Sequence, residues 1–580
     1  MQLCHFMLAL SVGLSGVSAM PGTVVRHVKR ITSATTRPVA GGHLWGRGDA
    51  GVSLDKTFSL AHGVRTWHGE PVGQGDVSER LATGRDLAGL AAPFAVVSVD
   101  DGGRLSVATD HVGLRHVYAV RGDGWAAVST SARELADLVD APLDRGSIGT
   151  FRLVGHHLGT STPYAGVTKL GPGQIWRLAD GELTTESYPR AAPEPGLMKT
   201  SAAVHLHADR LRRTVEGFLD AYPGGVLELS GGLDSRMVLA AIPPGRRKEF
   251  RALTLTYPGS SDLPVATSLA RRYGMKHQTI DLCALEDVPP DVAYGAAVAA
   301  AVRLDAAGSP LGAAVLNWVE RQVDPGPRLG GHGGELARGA YYLQRQHPRV
   351  EPVLVDRLAR WWVWANAVPD EVLVPEFAAE SREHTSRRLH EIFAGYQTDW
   401  LTAADEFYLT ERLHRWAGLT LTDAATSIVV ANPLLDPGVL AVARTVPPED
   451  RMGSRYAVRV LDRLDPDLAR LPLSSGLRPI ALSRRITLSR QLGENTLRGF
   501  TNKAVGKLSR HLWRTSRPAA GVGTLARAVT VHLREYPDLL SPAADTGLLS
   551  GEWVERYLSG QAEASPATLD LLLNLVVAAR

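Results

Sequence analysis

The sequence predicts an α/β protein built from a β-rich N-terminal half and a doubly wound parallel sheet that runs into a largely helical C-terminal part. Three patterns carry this expectation. Residues 94–129 fall into short apolar or alternating runs separated by turn residues. From about residue 200, strand-like and helix-like stretches alternate. Beyond residue 340 the apolar spacing is mostly that of helices. With 580 residues the chain is too long for one core, and 44% hydrophobic with 21% charged residues is ordinary for globular domains.

In the first half, Phe94–Val99, Leu105–Thr109, Val117–Val120 and Trp125–Ser129 read as strands. Asp-Asp-Gly-Gly at 100–103 and Arg-Gly-Asp-Gly at 121–124 supply hairpin turns. Phe6–Leu14 is apolar and followed by small residues to Ala19, which superficially resembles a secretory signal. No Lys or Arg precedes Arg26, so a buried first strand or a misassigned start fits better. Residues 1–190 form the expected first domain, and the Pro-rich stretch within 191–199 a linker.

The second domain, expected over 200–505, opens with a helix at Ala202–Ala221. Strands follow at Arg251–Tyr257 and His277–Leu282, with a helix at Ala266–Tyr273 between them. Such alternation implies a parallel sheet with its ligand at the carboxyl ends of the strands. Trp361, Trp362 and Trp364 read as core rather than as a cofactor site, given the area each ring buries. Residues 506–580 form a helical extension whose last apolar helix is Leu569–Val577.

Composition narrows the function. A net charge of +3 gives no basic field for nucleic acid. No window approaches the roughly 20 apolar residues of a membrane span. Cys4 and Cys283 can make neither a disulfide framework nor a metal site alone, which fits a reducing cytoplasm.

The chemistry concentrates at residues 226–241, a short apolar strand, a Ser-Gly-Gly turn and a helix opening with Leu233, Asp234 and Ser235. Gly231 and Gly232 let the backbone turn sharply and approach a ligand closely. Free N–H groups at the helix start, with the Ser230 and Ser235 hydroxyls, form an anion cradle. Asp234 would repel a bare phosphate and makes sense with Mg²⁺ between them. The string Ser230–Ser235 resembles the SGGxDS pyrophosphate loop of ATP pyrophosphatases and is unlike a Walker loop or a dinucleotide fingerprint.

A second glycine-rich segment, Leu329-Gly-Gly-His-Gly-Gly-Glu-Leu-Ala-Arg-Gly-Ala-Tyr341, follows about a hundred residues later. The pair resembles the asparagine synthetase family, whose synthetase domain carries SGGLDS and later SGxGxDE. Ala431-Asn-Pro-Leu-Leu-Asp436 resembles the family's R-V-P-F-L-D segment. Asp110-His-Val-Gly-Leu-Arg-His-Val-Tyr118 and Val167–Trp176 resemble segments of its glutamine amidotransferase domain. The resemblance implies an Ntn-hydrolase-like N-terminal sandwich before an ATP-pyrophosphatase domain. It implies ATP and Mg²⁺, with the metal between Asp234 and Glu335, and backbone near Leu229, Leu255, Gly330 and Gly331 holding the nucleotide. Glu335 stands where the family has Asp, which keeps the charge on a longer arm.

The glutaminase chemistry is missing. Glutamine-hydrolysing members carry Cys directly after the initiator Met, whereas position 2 here is Gln2. Cys4 lacks the freed amine, no glutamine-gripping segment is present, and Arg47-Gly-Asp-Ala50 is at best a remnant. The N-terminal domain then reads as an inactive, glutaminase-like platform, and the attacking amine must come from the substrate. This logic points to the family's β-lactam synthetases and lasso-peptide cyclases. His332 in the variable loop position, Glu411-Arg-Leu-His-Arg-Trp416 and the C-terminal extension resemble the cyclases.

The expected reaction is adenylation of an Asp or Glu side chain in a precursor core peptide, then macrolactam closure by the peptide's N-terminal amine. His332 would take the proton, with Glu411 orienting it. The family's late lysine has no counterpart between Lys276 and Lys503, so Arg478 or Arg455 would supply the cation. A leader peptidase and a leader-recognition protein are expected partners. Alternatives are a small-molecule amide synthetase and a non-catalytic precursor-binding scaffold.

Overall fold

A computed structural model describes residues 6–12, 35–39, 42–47, 57–59, 64–100, 104–188, 198–342, 346–364, 367–425, 428–482 and 521–579. Gln2, Cys4, Gly48–Ala50 and most of the linker lie outside the described residues.

The N-terminal half holds two antiparallel sheets. One runs in the spatial order Thr35–Val39, Gly42–Arg47, Phe6–Val12, Trp125–Ser129, Tyr118–Gly122 and Thr168–Lys169. The other runs Glu182–Ser187, Gln174–Ala179, Leu105–Thr109, Ala95–Val99 and Thr57–Ser59. Alternation along the strands divides the faces. Ala95, Val97, Val107, Ala119, Ala126 and Val128 meet in one core between the sheets. Their neighbours point outward: Tyr118, Val120 and Trp125 pack on helix Ala132–Val139, while Phe94, Val96 and Ala108 pack on helix Gln74–Thr83. The result is four layers, helix on sheet on sheet on helix. The apolar run near the N-terminus is a strand paired on both sides, with Gly42–Arg47 and Trp125–Ser129.

The third sheet is wholly parallel, in the order Lys276–Asp281, Arg251–Thr256, Val226–Glu228, Arg328–Leu329, Val430–Ala431. Its strands are covered on both faces, as parallel strands require. Leu227 and Ala252 belong to the core under helices Thr200–Ala221, Leu233–Ala241 and Arg455–Leu464. Val226, Leu253 and Ile280 face the opposite core with helices Pro290–Arg303 and Pro310–Glu320. The chain leaves Val226–Glu228 toward one sheet edge and returns on its other side at Arg328–Leu329. That reversal is a topological switch point, with a crevice beyond the strand ends.

The C-terminal helices Val522–Glu535, Gly551–Leu558 and Pro566–Ala578 do not stand apart. Val529, Leu533, Leu571 and Leu572 share the second core with Leu311 and Phe377. Asp570 accepts the Leu311 N–H at 3.0 Å, and Asn574 donates to the Gly308 carbonyl at 2.8 Å. The helix expected from Ala266 begins earlier, at Asp262. Trp364 packs on the first core; the side chains of Trp361 and Trp362 lie outside the described residues. Helix Tyr408–Ala417 is a wide π-type turn, a geometry that recurs at functional sites. Among the described residues no helix is long and apolar enough to cross a membrane.

Candidate active site

Both glycine-rich segments follow the two strands that flank the switch point, so their meeting is a consequence of topology. Strand Val226–Glu228 ends, Gly232 keeps an extended backbone, and helix Leu233–Ala241 starts at once. The Ser230 and Ser235 hydroxyls lie 2.9 Å apart, and the Ser230 and Gly232 N–H groups donate into this pair at 3.2 and 3.1 Å. The Gly231 N–H instead donates to Asp262 Oδ1 at 2.9 Å. Leu229 lies under the loop, its N–H donating to the Leu253 carbonyl and its carbonyl accepting from Thr254. Leu255 is half-buried near the end of the adjacent strand.

The second segment presses against the first. A Cβ on Gly331 would stand 3.1 Å from the Ser235 nitrogen, and one on Gly334 would stand 2.3 Å from Asp234 Oδ1. A Cβ on Gly330 would meet Asn432 Oδ1 at 2.5 Å and Glu228 Oε2 at 3.2 Å. Close approach therefore requires glycine at these positions.

Two carboxylates face one another here, and the structure brings Arg338 between them. Its Nη2 is 2.9 Å from Asp234 Oδ2 and 3.5 Å from Glu335 Oε1. Tyr408 donates its hydroxyl to Glu335 Oε2 at 2.6 Å. Burial pushes the Asp234 carboxyl up to about 7, with Arg338 opposing and Glu335 adding to the rise. Asp234 Oδ1 is buried without a hydrogen-bond partner, and the missing Cβ of Gly334 leaves the space beside it open. These features fit a hard divalent cation, which takes one or two protein carboxylates and completes its shell with phosphate oxygens and water. Among the described residues no group of three or more His, Cys, Asp or Glu could hold a metal.

His332 is half-buried, and its N–H donates to Asn432 Oδ1 at 3.3 Å. The carboxylate that feels its charge is Glu228, at the end of the first strand. Glu228 is open to the crevice but crowded by protein, and this desolvation raises its pKa while His332 and Arg328 pull it down. Glu411, expected as the orienting partner, lies elsewhere. Its Oε2 accepts the Gly159 N–H at 2.6 Å, and its charge interacts with Arg415, Arg388 and Lys169. Burial raises it to about 7.

Fully buried Arg236, on the helix after the loop, donates to the carbonyls of Leu468, Leu471 and Pro472 at 3.3, 2.6 and 2.8 Å. This anchors the following turn, whose Ser474 N–H donates to the Gly231 carbonyl at 3.0 Å. Arg478 ends that turn and is exposed. Arg455 donates to the Met452 and Glu449 carbonyls, so its guanidinium is committed to its own helix start. The residues missed from sequence are Glu228, Arg338, Tyr408 and Asn432. For the first two the sequence shows only a charge inside or beside a motif, which does not say what that charge meets.

An asparagine synthase family model matches residues 207–464, from within helix Thr200–Ala221 to the helix ending at Leu464. This match supports the asparagine synthetase family, and an ATP-dependent amide-forming synthetase in general, for that part of the chain. No curated protein matches. Solved structures with some similarity include the glutamine phosphoribosylpyrophosphate amidotransferase of B. subtilis in complex with ADP and GMP. It is 11% identical with a TM-score of 0.19, over 47% of this chain and 65% of that one. Another is the allosteric regulatory enzyme of purine biosynthesis, 11% identical with a TM-score of 0.20, over 49% of this chain and 81% of that one.

Proposed function

We propose that the protein is an ATP-dependent lasso-peptide cyclase, acting in the cytoplasm on a precursor core peptide delivered with a leader-recognition protein and a leader peptidase. The observation that supports this most is the junction of the two glycine-rich loops, with Asp234 and Glu335 on one side and His332 with Glu228 on the other. The N-terminal sandwich is read as an inactive amidotransferase-like platform, so that the amine is the substrate's own.

An Asp or Glu side-chain oxygen of the peptide bonds to the α-phosphorus of ATP as the bond to pyrophosphate breaks. The Ser230 and Ser235 hydroxyls and the N–H groups at the helix start receive the pyrophosphate. Asp234 and Glu335 would hold Mg²⁺, which when bound supplies positive charge to the phosphate oxygens. Gly330 and Gly331, with Leu229 and Leu255, line the nucleotide side. The peptide's N-terminal amine then attacks the acyl carbon, AMP leaves, and an amide closes the ring. An α-amine has an unperturbed pKa of about 7.7–8.0, so it must lose a proton at neutral pH. His332 takes that proton, and Glu228 stabilises the imidazolium that forms.

ATP–pyrophosphate exchange with purified protein tests this reading, comparing the cognate core peptide with free aspartate. Exchange with peptide only, abolished in Asp234→Ala, supports the cyclase. Exchange with aspartate would move the assignment to a small-molecule amide synthetase. Silence with both would leave a precursor-binding scaffold.

A further inference from the structure

Arg338 occupies a position that the catalytic reading does not explain. It closes the short helix Gly334–Arg338, three residues after Glu335, so both side chains lie on one face of the turn. Its guanidinium reaches across to Asp234 on the other loop at 2.9 Å while staying 3.5 Å from Glu335. The side chain is 29% exposed, so it borders the crevice rather than the core. Its Nε is buried without a partner, which leaves donor capacity that a two-carboxylate contact does not use.

No lysine occurs between Lys276 and Lys503. Arg478 is exposed at the end of its turn, and Arg455 is committed to backbone carbonyls. A divalent ion held by the unpartnered Asp234 Oδ1 and by Glu335 would sit beside the guanidinium that now contacts Asp234 Oδ2 and Glu335 Oε1. Two cations on the same carboxylate pair repel one another strongly. A displaced guanidinium on this stem stays at the mouth of the pyrophosphate cradle, with a planar fork matched to phosphate oxygens.

We propose that Arg338 is a tethered counter-ion with two positions. Before ATP binds, it neutralises Asp234 and Glu335 and competes with the divalent metal. Once metal and nucleotide arrive, it turns to the leaving pyrophosphate and supplies positive charge there. The second position rests on the adenylation reading; the first does not.

The test uses full-length protein and Arg338→Met. Mn²⁺ is titrated into nucleotide-free protein and followed by the electron paramagnetic resonance signal of the free ion. Pyrophosphate binding at saturating Mg²⁺ is measured by calorimetry. Removal of the competing charge is expected to tighten Mn²⁺ binding by about tenfold, and loss of the fork to weaken pyrophosphate binding by about tenfold. The opposite signs are diagnostic, because a merely structural arginine would weaken both. Asp234→Asn should abolish the Mn²⁺ response. Arg338→Lys keeps a cation on a similar stem and serves if the Met variant does not fold; it should tighten Mn²⁺ binding by roughly threefold. Unchanged or weaker Mn²⁺ binding in both variants overturns the competition. Unchanged pyrophosphate affinity overturns the second position. Wild-type protein that does not bind Mg²⁺–pyrophosphate overturns the adenylation reading together with that second position, while the Mn²⁺ arm still decides the first.

Discussion

Gly334→Ala puts the meeting of the two loops to a direct test. A Cβ at residue 334 would lie 2.3 Å from Asp234 Oδ1 and 2.5 Å from its Cγ. Comfortable heavy-atom contacts are about 3.5 Å, so the carboxylate must retreat by about 1 Å. It cannot swing freely, because Arg338 holds Oδ2 at 2.9 Å and Gly331 packs on the backbone behind it. Misplacing a reacting or metal-holding group by about 1 Å costs on the order of 10²-fold in rate. Overpacking of this kind destabilises by about 1–3 kcal/mol. The expected result is ATP–pyrophosphate exchange reduced about a hundredfold, with a urea midpoint that moves only modestly. Gly295→Ala is the control: it sits in helix Pro290–Arg303 with nothing within 4 Å of the new Cβ. It should leave exchange unchanged and stabilise by about 0.5–1 kcal/mol. Exchange within threefold of wild type in Gly334→Ala would refute the idea that the two loops build one site.

Three further predictions follow from the same geometry. Glu228→Gln should slow the amide-forming step by about 10–100-fold and shift its pH profile, whereas Glu411→Gln keeps the acceptor for the Gly159 N–H and should leave that step within about threefold; the reverse pattern, read by single-turnover ring closure, would restore Glu411 as the partner of His332. Arg236→Met leaves three carbonyls without their donor, which should cost about 3 kcal/mol in a urea titration and loosen Ser474 from Gly231; an unchanged midpoint would contradict this. Asp570 is buried against helix Pro310–Glu320, and desolvation raises its carboxyl to about 7. The folded state therefore holds a proton that the unfolded chain releases near pH 4, so this group favours folding below that pH and loses the advantage as pH rises toward 7. Asp570→Asn should flatten the fall in stability between about pH 4.5 and 7.5 by up to roughly 4 kcal/mol; parallel pH curves for the two proteins would refute the assignment.

Patterns that depend only on local periodicity were legible in the sequence. The hairpin strands at 95–99, 105–109 and 125–129 fall where alternation and turn residues put them. So do the parallel strands at 251–256 and 276–281, because apolar runs bounded by turns have few other uses in an α/β chain. Which charged side chains meet across loops was not legible. Glu228 reads as the polar end of a strand, and only the return of the chain at Arg328–Leu329 puts it beside His332. Arg338 reads as a surface residue on a helix until Asp234 is brought from another element. Glu411 illustrates a different failure. It sits three residues after Tyr408, a spacing that shares a face in an ordinary helix. The wide turn of Tyr408–Ala417 alters that relation, so Tyr408 reaches Glu335 while Glu411 reaches Gly159.

The same wide helix gives the N-terminal domain a physical route to the site. The Asp110 carboxylate accepts N–H bonds from Phe94, Val112, Leu114 and Arg115, which makes it a clasp for its own hairpin. That hairpin then docks on the synthetase half at two places. His111 bonds the Leu435 carbonyl at 3.0 Å, and the Gly113 carbonyl lies 2.9 Å from His414 Nδ1. Fully buried Lys169 lies 3.0 Å from His414 Nε2, and the same burial that places it there drives its pKa far down. Leu435 belongs to the turn that begins at Asn432, whose side chain accepts from His332, and His414 belongs to the helix whose Tyr408 holds Glu335. Each half of the candidate site is thus braced, one residue removed, by a segment that resembles amidotransferase sequence. Removing that segment would leave the backbone under His332 and the π-turn under Glu335 without their buried partners.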